Sequence, residues 1–110
     1  MHENNPLLKT LVKQLDDAKA IDVVVMDVSD QTAITDFMVI ATGRASRHVQ
    51  AIANQLLEQM KKAGLPALSA TGLDSGDWAL IDFGYFVVHI MQPDSRAFYN
   101  LEGLWQQQSI

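Results

Sequence analysis

The sequence predicts an α/β (α+β) fold, a single domain with a mixed central β-sheet flanked by helices. Two stretches, Leu8 to Ala18 and Val49 to Ala63, repeat apolar residues at helical spacing. Between and after them lie runs rich in β-branched and aromatic residues: Ile21 to Val28, Phe37 to Ala41, Trp78 to Asp82 and Tyr85 to Met91. No repeat, linker or low-complexity stretch interrupts the order α-β-β-α-(β)-β-β-α. Residues 1–110 therefore read as one domain, with its core over about 6–105.

Asn5 and Pro6 read as the N-cap and first residue of a helix over about 6–19. Its stripe of Leu8, Leu11, Val12, Leu15 and Ala18 is expected to pack on the sheet. A strand over Ile21 to Val28 follows, then a polar turn at Ser29-Asp30-Gln31. Phe37-Met38-Val39-Ile40-Ala41 is nearly all apolar, as a strand buried on both faces would be, and Gly43 ends it. The second helix begins at Ser46 or Ala45 and places Val49, Ile52, Ala53, Leu56, Met60 and Ala63 on one face. Lys61 and Lys62 suit the negative end of its dipole, while Gly64 and Pro66 stop it. Leu65 to Ala70 is a candidate edge strand, and Thr71 to Asp77 a loop. Phe83-Gly84 joins the last two strands as a hairpin. Beyond Pro93, Asp94 or Ser95 is expected to cap a short helix carrying Phe98, Tyr99, Leu101, Leu104 and Trp105.

Composition narrows the function classes. With 48% hydrophobic and 19% charged residues the chain has the balance of a globular protein, not a disordered one. No apolar run approaches the ~20 residues of a membrane-spanning helix, and the start from Met1 to Pro6 has neither a signal nor a transit pattern. A cytoplasmic protein with no membrane association is expected. The absence of cysteine excludes disulfides, thiolate metal sites and a cysteine nucleophile. The net charge of −5 and only eight scattered Lys and Arg argue for little or no direct RNA binding and for a basic protein partner.

The candidate chemical motifs are weak. Asp82-Phe83-Gly84 spells a kinase magnesium motif, but the glycine-rich and His-Arg-Asp loops of a kinase are missing. Asp22 and Asp27 are five residues apart and are expected on opposite strand faces, whereas nucleotidyltransferases grip magnesium with two carboxylates two residues apart. His48 and His89 without cysteine are a poor zinc set, and mid-strand His89 suits a hydrogen-bonded structural role. No catalytic residue, metal ligand or cofactor site is therefore assigned. Arg44, Ser46, Arg47 and His48 follow a glycine turn at a helix start. They make either an anion or RNA contact or, as preferred here, a capped helix with solvated arginines. Trp78 stands after a polar loop, and periodicity leaves open whether it is core or a binding hot spot.

Several strings, in order, closely resemble the ribosomal silencing factor family, also called the iojap family. They are Ala20 to Val28, Thr35 to Gly43, Ser46 to Val49, Asp77 to Gly84, Val87 to Gln92 and Arg96 to Trp105. The resemblance spans roughly residues 7–105. It implies a fold like that of nucleotidyltransferases without their catalytic motifs, and a protein that is not an enzyme. It also implies a partner, ribosomal protein L-fourteen of the large ribosomal subunit, and repression of translation in starvation by blocking subunit joining. A large-subunit assembly factor is the alternative, and a nucleotide-binding enzyme a remote one. The expected partner-binding residues are Asp77, Trp78, Leu80, Asp82, Tyr85, Val87, His89 and Met91. Tyr85-Phe86 departs from the usual family pattern and is expected to add apolar surface at the hairpin, which would favour a homodimer off the ribosome.

Overall fold

The computed structural model describes residues 5–33 and 35–103. The expected positions of Leu104 and Trp105 lie outside the described residues.

Helix α1, Pro6–Asp17, begins where Asn5 accepts the N–H groups of Leu7 and Leu8 on its side-chain oxygen. It ends two residues earlier than expected. Lys19 takes a left-handed conformation at φ 66 and its N–H donates to Asp16, while that of Ala20 donates to Leu15. That pairing closes the helix as a Schellman turn. Strand β1, Ile21–Asp27, pairs antiparallel with β2, Phe37–Thr42. A register shift between Ile21 and Val24 accommodates Asp22 at φ 50, so simple alternation does not relate Asp22 to Asp27.

Helix α2, Ser46–Lys62, starts from an Ala45 N-cap that makes no side-chain cap bond. It closes with the same turn as α1, here on Gly64 at φ 93. Strands β3, Ser69–Thr71, β4, Trp78–Asp82, and β5, Phe86–Met91, follow. The sheet order is β1-β2-β5-β4-β3, with β2 and β5 parallel and the other pairs antiparallel. The mixed sheet expected from sequence is therefore present; the edge strand expected over Leu65 to Ala70 is only Ser69–Thr71, shorter and shifted into the expected loop.

Helix α3, Pro93–Tyr99, starts earlier than expected. Gln92 is its N-cap and Pro93 its first residue, and no side chain caps it. Proline has its φ already set for a first helical position, so the chain enters the helix before Asp94 or Ser95 is reached. Residues 101–103 are again helical, after Asn100 turns the chain at φ 47.

The two sheet faces are covered unequally. Leu8, Leu11 and Leu15 of α1 join Val49, Ile52, Ala53, Leu56 and Met60 of α2 over Phe37, Val39, Ala41, Ala79, Ile81, Phe86, Val88 and Ile90. The opposite face holds a smaller cluster of Met26, Val28, Met38, Ile40 and Met91, with Val24, Trp78 and Leu101 packed against it. Strand β2 is buried along its whole length between these clusters, as its unbroken apolar run predicted.

Candidate partner-docking face

Strand alternation turns Trp78, Leu80 and Asp82 of β4 to the same side as Val87, His89 and Met91 of β5. The register makes them direct cross-strand pairs: Trp78 with Met91, Leu80 with His89, and Asp82 with Val87. Six of the eight residues expected to bind a partner thus share the sheet face away from α1 and α2. Their depths differ. Met91 is fully buried and His89 is 7% exposed, so these two support the face from beneath and are not its outer surface. Leu80, Asp82, Val87 and Trp78 are half-buried, and Asp77 is exposed at the start of β4.

His89 fixes Trp78. The Trp78 indole Nε1–H donates to His89 Nδ1 at 2.9 Å, and the rings lie 5.7 Å apart. Acceptance at Nδ1 requires a ring that is neutral, with its proton on Nε2. Burial pushes the His89 pKa down to about 4, which keeps it neutral. On its other side Trp78 meets Tyr99 of α3, with centroids 4.7 Å apart, and Phe98 stands edge-on to Tyr99 at 5.1 Å. Phe98 is 81% exposed and Tyr99 51%. Sequence reading had left both out of the site. Their exposure was hidden because α3 has only seven residues and buries none of them, too short for a periodicity to reveal a face.

Among the described residues no cluster of three or more His, Asp and Glu side chains could hold a metal ion. What the face offers is an aromatic ledge beside aliphatic and acidic groups. Such a surface can bind a partner, with the aromatics supplying area and the carboxylates orientation.

The family model described as ribosomal silencing factor during starvation matches residues 1–110. The chain belongs to the ribosomal silencing factor family. A relative with that name from Haemophilus influenzae is 43% identical over 99 residues, covering 90% of this chain and 97% of its own. A mouse relative is named mitochondrial assembly of ribosomal large subunit protein 1. It is 35% identical and covers 91% of this chain, which spans 45% of that longer protein. Among solved structures, a Chromobacterium violaceum protein superposes with a TM-score of 0.89 at 37% identity, covering 91% of this chain and 83% of its own. Membership makes this a regulatory protein connected with the ribosome and not an enzyme.

The remaining expected residues lie elsewhere. Tyr85 is 63% exposed at the β4–β5 hairpin, where the Gly84 N–H donates to Asp82 Oδ1 at 2.7 Å. The expectation that Phe86 adds surface there is corrected, because Phe86 turns into the helix-side core and is fully buried. Arg44, Ser46, Arg47 and His48 gather at the start of α2. There His48 accepts the Arg44 N–H on Nδ1 at 2.9 Å and reaches the Ala18 carbonyl through Nε2 at 3.2 Å. His48 thus ties α2 to the end of α1, and Arg44 and Arg47 are exposed beside it. The arginines are thus solvent-exposed, but α2 has no side-chain cap, so the capped helix expected here is only half matched.

Proposed function

We propose that this chain represses translation by seating its α3-side sheet face on ribosomal protein L-fourteen of the large subunit, in the bacterial cytoplasm. The bound protein then occupies the space the small subunit needs. The observation that carries the reading is the Phe98–Tyr99–Trp78 ledge, an exposed aromatic cluster on the less covered face of a family member. Soluble proteins seldom leave such clusters open without a partner. Asp77 precedes Trp78, and Asp82 lies on the same sheet face at the far end of β4; both suit a basic partner protein, in keeping with the net charge of −5. Steric exclusion asks for no proton transfer and no cofactor. RNA contributes little to the affinity. Off the ribosome the same exposed aromatics favour a homodimer.

The test is sedimentation of purified large and small subunits with and without the protein. Co-migration with the large subunit and loss of joined particles in proportion to occupancy are expected. Protein left at the top of the gradient, with joining unchanged, would end the proposal. A second reading, large-subunit assembly, draws on the name of the mouse relative. It predicts that the protein accompanies immature large subunits and leaves joining of mature ones untouched.

A further inference from the structure

We propose that Arg96 is the positioning residue of the docking face, a clamp that sets how α3 presents Tyr99 and Phe98. The inference rests on the reading that this face meets the large subunit.

Helix α3 needs such a clamp. It buries no residue and has no side-chain cap, so apolar burial within the helix cannot hold it against the sheet. Arg96 supplies a hold on both sides. Its Nη1 donates to Thr42 Oγ1 at 2.8 Å, at the end of β2. Its Nε and Nη2 donate to the two carboxylate oxygens of Glu102, at 2.8 and 3.1 Å. Asn100, at φ 47, reverses the chain so that Glu102 returns to face the guanidinium. Leu101 packs on the methionine-rich cluster within the same turn.

One planar fork therefore joins three segments: the end of a central strand, α3, and the turn after it. A guanidinium can do this because its donors are held in fixed directions, which an ammonium cannot reproduce. The Arg96 side chain is only 13% exposed, so the pair is less screened than a surface ion pair. The hydrogen bond from Arg96 holds the Glu102 carboxyl below the usual glutamate range. Tyr99 lies one helical turn beyond Arg96 and stacks on Trp78. Releasing the clamp frees that ring from its place on the ledge while the helix-side core stays intact.

The experiment uses the full chain with Trp105→Phe, which leaves Trp78 as its sole tryptophan. Dissociation constants for purified large subunits, thermal midpoints and Trp78 emission are measured for Arg96→Met, Arg96→Lys, Glu102→Gln and the exchange Arg96→Glu with Glu102→Arg. Trp78→Ala is the reference. Arg96→Met is expected to bind about tenfold more weakly, with little change in midpoint and a red-shifted emission as Tyr99 leaves the indole. Arg96→Lys should behave similarly, and the exchange should recover much of the loss. If Arg96→Met does not fold, Glu102→Gln decides, with affinity expected to fall about threefold at unchanged midpoint. Parent-like affinity in Arg96→Met or Glu102→Gln, while Trp78→Ala binds poorly, overturns the clamp and leaves the docking reading standing. Affinity that only follows the thermal midpoint, with no recovery in the exchange, overturns it too. Parent-like affinity in Trp78→Ala removes the docking reading, and the clamp with it.

Discussion

The two faces of the sheet do different work with similar residues. On one, two long amphipathic helices exclude water from a continuous apolar layer. On the other, a seven-residue helix with no buried side chain covers one end, and aromatics stay in solvent. The first face is filled by folding, and the second leaves the aromatics that the proposed docking would use. Exposure, not aromatic content, separates the two sets of rings. Phe37 and Phe86, 5.9 Å apart, are core, while Phe98 and Tyr99 are surface.

Mutations should separate the faces. The largest effect belongs to the helix side, where Phe86→Ala should cost about 3–5 kcal/mol of stability, read from chemical denaturation. Next comes acid. The folded-state pKa of His89 lies below its ordinary 6.5, so the unfolded chain takes up the proton first. Stability is then intact above pH 6.5 and declines as pH falls toward about 4. At its limit the loss is roughly 3 kcal/mol. A His89→Gln variant should flatten that part of the pH profile, and an unchanged slope would assign it to other groups. Trp78→Ala should weaken large-subunit binding by at least ~2 kcal/mol, about thirtyfold, with the fold retained by circular dichroism. Full affinity in that variant would remove Trp78 from the docking role.

Smaller effects sharpen the same contrast at the helix ends. Helices α1 and α2 close with the same turn, on Lys19 in one case and Gly64 in the other. Lys19→Gly should therefore stabilise by up to ~1 kcal/mol, and Gly64→Ala should destabilise by about that much. The exposed Lys13–Asp17 pair, at 3.1 Å, should contribute no more than ~0.5 kcal/mol. Thermal melts of the single variants check both.

Much of this was legible in the chain because local rules and tertiary packing agree. The stripe in α2, the unbroken apolar run of β2 and the Asn5-Pro6 start each have one cheap structural solution. The residues expected to bind a partner include Trp78, Leu80 and Asp82 with Val87, His89 and Met91, and strand alternation accounts for their sharing a face. It could not give their depth, because Met91 and His89 are buried by elements distant in sequence. The Arg96–Thr42 bond spans 54 residues and leaves no local pattern. The bulge at Asp22 escaped for a related reason, since an aspartate is favoured at positive φ among non-glycine residues but far more often sits at negative φ.

Hydrogen exchange on the free and subunit-bound protein tests the central claim most directly. Binding should slow exchange in residues 77–82, 87–91 and 96–99 and leave the exposed side of α1 and α2 unchanged. Protection concentrated on α1 and α2, with the Trp78 face exchanging as in the free protein, would contradict the assignment of one face to folding and the other to the ribosome.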